Sequence, residues 1–133
     1  MFERIGKIES TSLGIEGHGV MTFWLMLDFG GSGQGFGGWV LDSYSPEEKR
    51  RIGTAAGLDA VIQILTVCGV EKWEDIQGKI VYALYDDDKY GRAIKGIKGL
   101  SFESNKIFLI DDWQRRWQEE IKKLEKGGGN GQG

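Results

Sequence analysis

The chain is poor in the residues that usually announce chemistry. It holds one histidine, one cysteine and one proline in 133 residues. A lone Cys68 excludes an internal disulfide, and nothing resembles a secretion signal, so a reducing, cytoplasmic setting is the default expectation. The longest apolar run, residues 20–27 broken by Thr22, is too short to span a bilayer, and no membrane partner is expected. With only Pro46, turns fall to Gly, Asn and Asp. There is no basic excess either. The net charge is −3 and the pI about 5.2, so phosphate-driven nucleic-acid binding would need a local patch.

Glycine, by contrast, is abundant. Of 22 glycines, six lie in FGGSGQGFGGW (residues 29–39) and five in the tail GGGNGQG (127–133). The first stretch is no P-loop, because Trp39-Val40 follows where Lys and Ser or Thr are needed. It does not open a helix, as a dinucleotide fingerprint must. Its spacing suits a glycine-rich hairpin joining two neighbouring antiparallel strands across residues 30–38, with positive φ expected at Gly33 or Gly35. A side-chain-poor loop also permits close backbone approach by a partner.

Periodicity gives the rest of the framework. Residues 2–13, 21–29 and 36–41 read as three strands, the second largely apolar on both faces. Ser45-Pro46-Glu47-Glu48 reads as a capping box opening a helix that runs to Cys68 and ends at Gly69. Its buried stripe is expected at Leu58, Val61, Leu65 and Cys68, with Ile62 beside them. Gly53 and Gly57 inside it mark a break or a close approach to the sheet. Residues 79–86 and 92–100 read as a hairpin around DDDKYG. Asp111-Asp112 should cap a last helix with Trp113, Trp117, Ile121 and Leu124 as its stripe. The expected fold class is α+β: one domain over residues 1–126, about five antiparallel strands in the order β-β-β-α-β-β-α, and a flexible tail at 127–133.

No nucleophile, base and carboxylate assemble into a catalytic set, so the sequence argues for a non-enzyme with no cofactor. His18 could join Glu16 and Asp28 at a metal, but no spacing requires it, and no metal site is expected. Cys68 lies on an apolar stripe and reads as an inert thiol. Asp86-Asp87-Asp88 departs from a calcium loop at its twelfth position, Ile97, and reads as a solvated hairpin tip. Gly96-Ile97-Lys98-Gly99 copies a GxxG clamp but in a strand context. Trp24, Trp113 and Trp117 read as core residues and the basic clusters as surface; a single-strand-binding face is the alternative. The candidate binding surface comprises Glu16, His18, Gly31, Ser32, Gln34, Gly35, Phe36, Arg50 and Arg51.

IESTSLGIEGHG, then GGSGQGFGGWVLD, RRIGTAAG and GVEKWEDIQGK, resembles a group of short phage- and prophage-encoded proteins of unassigned function. The likeness covers about residues 5–100 and rests on Ser12-Leu13-Gly14, Glu16-x-His18-Gly19, the glycine stretch and Trp73-Glu74. It implies an accessory protein working in the cytoplasm of a bacterial host. The expected function is non-catalytic: binding and inhibiting or occupying a macromolecular partner, for example a host defence complex. The alternative is a nucleotide or single-stranded nucleic-acid binder in phage DNA metabolism. A protein partner is expected, and the oligomeric state is open, a homodimer included.

Overall fold

The computed structural model describes residues 1–17, 19–100 and 106–122. They form an α+β fold built on a six-stranded antiparallel sheet in the order β3-β2-β1-β6-β7-β8, with a separate two-stranded β4–β5 sheet. The strands are β1 (Phe2–Ile15), β2 (Met21–Asp28), β3 (Gly33–Gly37), β4 (Asp42–Ser45), β5 (Arg50–Gly53), β6 (Ile80–Tyr85), β7 (Gly96–Gly99) and β8 (Ile107–Leu109). The helices are α1 (Ala55–Cys68) and α2 (Ile110–Arg116), with a 3-10 turn at Trp73–Asp75. Residues 118–122 resume the helix after Trp117.

Alternation on β2 sets the core. Phe23, Leu25 and Leu27 are fully buried on one face, while Trp24, Met26 and Asp28 turn to the other. The buried face is joined by Ile8, Phe36, Val81, Ala83, Ile97 and Phe108, and α1 packs over it. Phe36, at the centre of an aromatic cluster, meets Phe23, Trp39 and Phe108 edge-on at 5.1–6.1 Å. The opposite face is largely open, with Ile5, Met26, Ile80 and Ile107 about half exposed. Trp24 therefore belongs to the outer face and not to the core, whereas Trp113 is buried. Trp117 is partly buried against the core.

The glycine stretch does form a hairpin between neighbouring antiparallel strands, but the turn is shorter than expected. The Phe29 amide donates to the Ser32 carbonyl at 2.8 Å, and β3 begins at Gly33, so the third strand is residues 33–37 and not 36–41. Positive φ falls at Gly30, Gly37 and Gly38, not at Gly33 or Gly35, which are paired within the ladder. The bend after β3 is where side chains are excluded. A Cβ on Gly37 would overlap the Phe23 carbonyl oxygen.

The expected helix from Ser45 is corrected. The Ser45 hydroxyl does accept from the Glu48 amide at 3.1 Å, the signature the sequence shows. Lys49 then adopts φ 57 and the chain returns as β5, so the Ser-Pro-Glu-Glu motif makes a hairpin turn instead. The helix starts only after Thr54, whose hydroxyl accepts from Gly57 N at 2.9 Å. Its buried positions are Ala56, Ala60, Ile64 and Val67, with Gly57 and Cys68. At its first turn the helix lies so close to the segment before β4 that a Cβ on Gly57 would overlap the Leu41 carbonyl oxygen. Leu58 and Ile62, expected in the stripe, are 63% and 52% exposed. Gly69 ends the helix at φ 69 as expected.

At the C-terminal side, β8 adds a strand the periodicity missed, and Leu109 occupies the cap position, placing Asp111 and Asp112 in the first turn. Trp113 Nε1 donates to the Ala56 carbonyl at 2.9 Å, and Trp117 Nε1 to Asp59 Oδ2 at 2.9 Å. Leu124 and the tail expectation at 127–133 lie outside the described residues.

Gly37→Ala should lower unfolding stability by about 2 kcal/mol, through strain and displaced backbone. Gly31→Ala, with open space around its Cβ and no positive φ, should change it by less than about 0.5 kcal/mol. Urea titrations of the two variants check the pair.

Candidate functional site

Two concavities lie on the core face of the sheet, at opposite ends of β1. The first is a hollow of about 390 Å³ between the start of β1, the Phe29–Ser32 turn and the loop after β6. Phe2 and Arg4 pair across β1–β6 with Tyr85 and Ala83, which puts Arg4 beside Tyr85 on one face. Gly6, two residues on, leaves the space that the Phe29 ring fills. The Arg4 guanidinium stacks on that ring at 4.1 Å and donates to the Ser32 hydroxyl at 3.1 Å. The Tyr85 hydroxyl donates to Gln34 Oε1 at 2.8 Å, and Gln34 Nε2 donates to the Arg92 carbonyl at 2.8 Å. Burial pushes the Tyr85 hydroxyl's pKa above its usual value, against the pull of Arg4, so Tyr85 stays a neutral donor. At the rim, Arg92 pairs with Asp87 at 3.1 Å. The Asp87 carboxyl sits below its ordinary range because it accepts from the Lys89 amide and from Arg92.

The second concavity is an apolar groove of about 720 Å³ between the far end of the β1–β2 hairpin and the first turns of α1. Leu13, Ile15 and Met21 line one side, Leu58 and Val61 the other, and the Asp42–Arg51 pair sits at the wall. Arg51 Nε and one terminal nitrogen each donate to Asp42 at 2.8 Å, a bidentate contact, and the Met21 amide donates at 3.0 Å. Burial pushes the Asp42 carboxyl up, but the Arg51 and Met21 hydrogen bonds with the Arg51 charge outweigh it, and the net shift is downward. Beside this groove β1 has a free edge. Its pairing with β6 ends at Lys7↔Ile80, and among the described residues no strand pairs with residues 10–15 on that side.

The expected surface does not come together as one patch. Ser32 and Gln34 line the hollow, and Gly31 lies in the turn beside it. Gly35 is on the outer face against Trp24 and Met26, and Phe36 is 1% exposed in the core. Glu16 accepts from the Thr22 hydroxyl at 2.7 Å and from Trp24 Nε1 at 2.6 Å, at the other end of β2. Arg50 pairs with Glu48 and Arg51 with Asp42, both on β5 and not on a helix. His18 lies outside the described residues. Sequence reasoning missed Arg4, Tyr85 and Arg92 as partners of the glycine hairpin, since contacts across 28 to 58 residues leave no local pattern.

Among the described residues no group of three or more His, Cys, Asp or Glu side chains is placed to hold a metal. No helix among them is long and apolar enough to cross a membrane. No protein-family model, curated protein or solved structure matches this chain.

Two titrations follow. The Asp42 carboxyl has a lower pKa folded than unfolded, so it supports the fold above about pH 4 and that support is lost as pH falls through the folded value. The stability advantage of the native chain over Asp42→Asn should therefore shrink between pH 5 and about pH 2, measured by urea melts. The Cys68 thiol, pushed up to about 12 by burial, should resist a thiol reagent at pH 8 in the native state and react fully in denaturant.

Proposed function

We propose that this chain is a non-catalytic accessory protein that works by occupying a protein partner, and that the partner enters through the apolar groove. One observation carries the reading. Leu58 and Ile15 stand 63% and 74% exposed on the two sides of a groove whose charged members, Asp42 and Arg51, already neutralise each other. Such a surface offers nothing to a phosphate or a metal, and burying its aliphatic groups stabilises a complex by about 25 cal/mol per Å².

The edge of β1 at residues 10–15, which no strand among the described residues pairs, favours an extended occupant. An extended segment can add a strand to that edge and set alternate apolar side chains between Leu13 and Val61. In the setting implied by the phage-type resemblance, that segment belongs to a host protein of the bacterial cytoplasm, such as a member of a defence complex.

The test uses exposed positions that the fold does not need. Ile15→Asp and Leu58→Asp should leave the melting temperature within about 2 °C of the native chain, since surface substitutions change stability little. Each should abolish a stoichiometric complex that the native chain recovers from bacterial lysate. A photoreactive residue placed at Ser12 should cross-link to the partner in that complex. Recovery of the same partner by both variants would sink the reading, as would a native chain that recovers none. Self-association of the native chain, lost with Leu58→Asp, would replace the foreign partner by a second copy.

A further inference from the structure

We propose that the hollow at the other end of β1 is a second, independent site, and that it binds a nucleotide: a phosphate held by Arg4, and a base stacked on the aromatic rim. The groove's partner plays no part in this.

The phosphate half rests on Arg4. Its contacts among the described residues are a ring face, the Ser32 hydroxyl and the neighbourhood of Tyr85, all neutral. No carboxylate among the described residues lies within ion-pair distance of it, although seven other basic residues pair with carboxylates in that way. An arginine oriented by stacking and by neutral hydrogen-bond partners, with no ion pair among the described residues, is preorganised for an oxyanion; two parallel N–H groups match a phosphate edge. The Arg4→Ser32 hydrogen bond and the Tyr85→Gln34→Arg92 chain fix the surrounding polar groups, so little order remains to be created on binding. Lining cations outnumber lining carboxylates, three to two, in a chain whose net charge is −3. Arg92 and the Lys89 amide already occupy Asp87, which leaves Asp88 as the acidic group to be placed near a base amino group and away from phosphate.

The ring half rests on the rim. Tyr90 is fully exposed on the loop, and Phe2 is 43% exposed with its ring 6.1 Å from that of Tyr85. Aromatic side chains left in water beside a cation are stacking platforms for a base, worth about 1–3 kcal/mol per base. A volume of about 390 Å³ lies at the small end of the range for ligand pockets, suited to a mononucleotide. The same chemistry is presented by a free nucleotide and by the phosphorylated end of a single strand.

Calorimetric titration at low salt separates these sources. Adenosine 5′-monophosphate should bind with a Kd below about 1 mM and at least about tenfold more tightly than inorganic phosphate. Arg4→Gln should weaken it about tenfold or more, Tyr90→Ser about fivefold or more, and the remote Arg115→Gln not at all. A 5′-phosphorylated oligothymidine that binds more tightly than the monophosphate, and loses that with Arg4→Gln, identifies the strand end as the source. Oligothymidine binding that survives Arg4→Gln overturns the site. So does absence of monophosphate binding at about 1 mM, or inorganic phosphate binding equally well. Arg4 is exposed, and a thermal melt confirms folding of its variant. Should that variant unfold, Lys89→Gln and Tyr90→Ser, both on the exposed loop, carry the same titration: removing the lining cation should weaken monophosphate binding about threefold and removing the ring about fivefold, and no loss with either overturns the site.

Discussion

The corner at Leu41 and Asp42 is where the parts of the molecule are fastened to one another. The Asp42 carboxylate accepts from the first residue of β2 and takes a bidentate contact from β5, so one side group ties the small sheet to the large one. One residue earlier, the Leu41 carbonyl accepts from the Thr54 hydroxyl at 2.7 Å while the Gly57 backbone packs against it. Thr54 also caps α1, so the start of the helix and its distance from the sheet are set at one point. A charge-assisted pair left half made in such a place would strand a partly buried ion, which is why the corner depends on both Asp42 and Arg51 together.

That corner explains why the helix was the hardest element to read. Ser45 and Glu48 carry a genuine capping pattern, and locally the structure obeys it. What overrides it is long-range: Arg51 has a carboxylate nine residues back, and closing that contact requires the chain to return as a strand. Once the helix is postponed to Thr54, clearance chooses the inward residues of its first turns, and Ile64 and Val67 fill the space further along. Ala56, Ala60 and Gly57 fit under the sheet, and the larger Leu58 and Ile62 are turned out. Hydrophobic periodicity counts size as burial, so it selected a neighbouring stripe.

The elements whose reasons are local were legible. β2 alternates cleanly, the glycine stretch makes a hairpin, Gly69 stops α1, and the α+β class follows. The φ values inside the hairpin were not, because Gly33 and Gly35 owe their identity to neighbours across the ladder and not to the turn. Of the candidate site, Ser32 and Gln34 were named from the sequence. The arginine and tyrosine that give them a purpose come from β1 and β6, brought in by strand pairing that no short window contains.

β1 is long, and among the described residues a concavity lies at each of its ends. β1 and α1 have 14 residues each, but a strand rises about 3.3 Å per residue and a helix about 1.5 Å. The strand is therefore about 45 Å long and the helix about 20 Å, and the helix packs chiefly on β7 and β8, away from both ends of β1. At one end are Leu13 and Ile15, aliphatic, beside a strand edge that no other described strand pairs. At the other are Phe2 and Arg4, roofed by the loop from β6. The β-bulge between Ile8 and Ser10 separates the two halves of the strand, and with it the two chemistries. α2 clamps α1 through Trp113 and Trp117 and lines neither concavity.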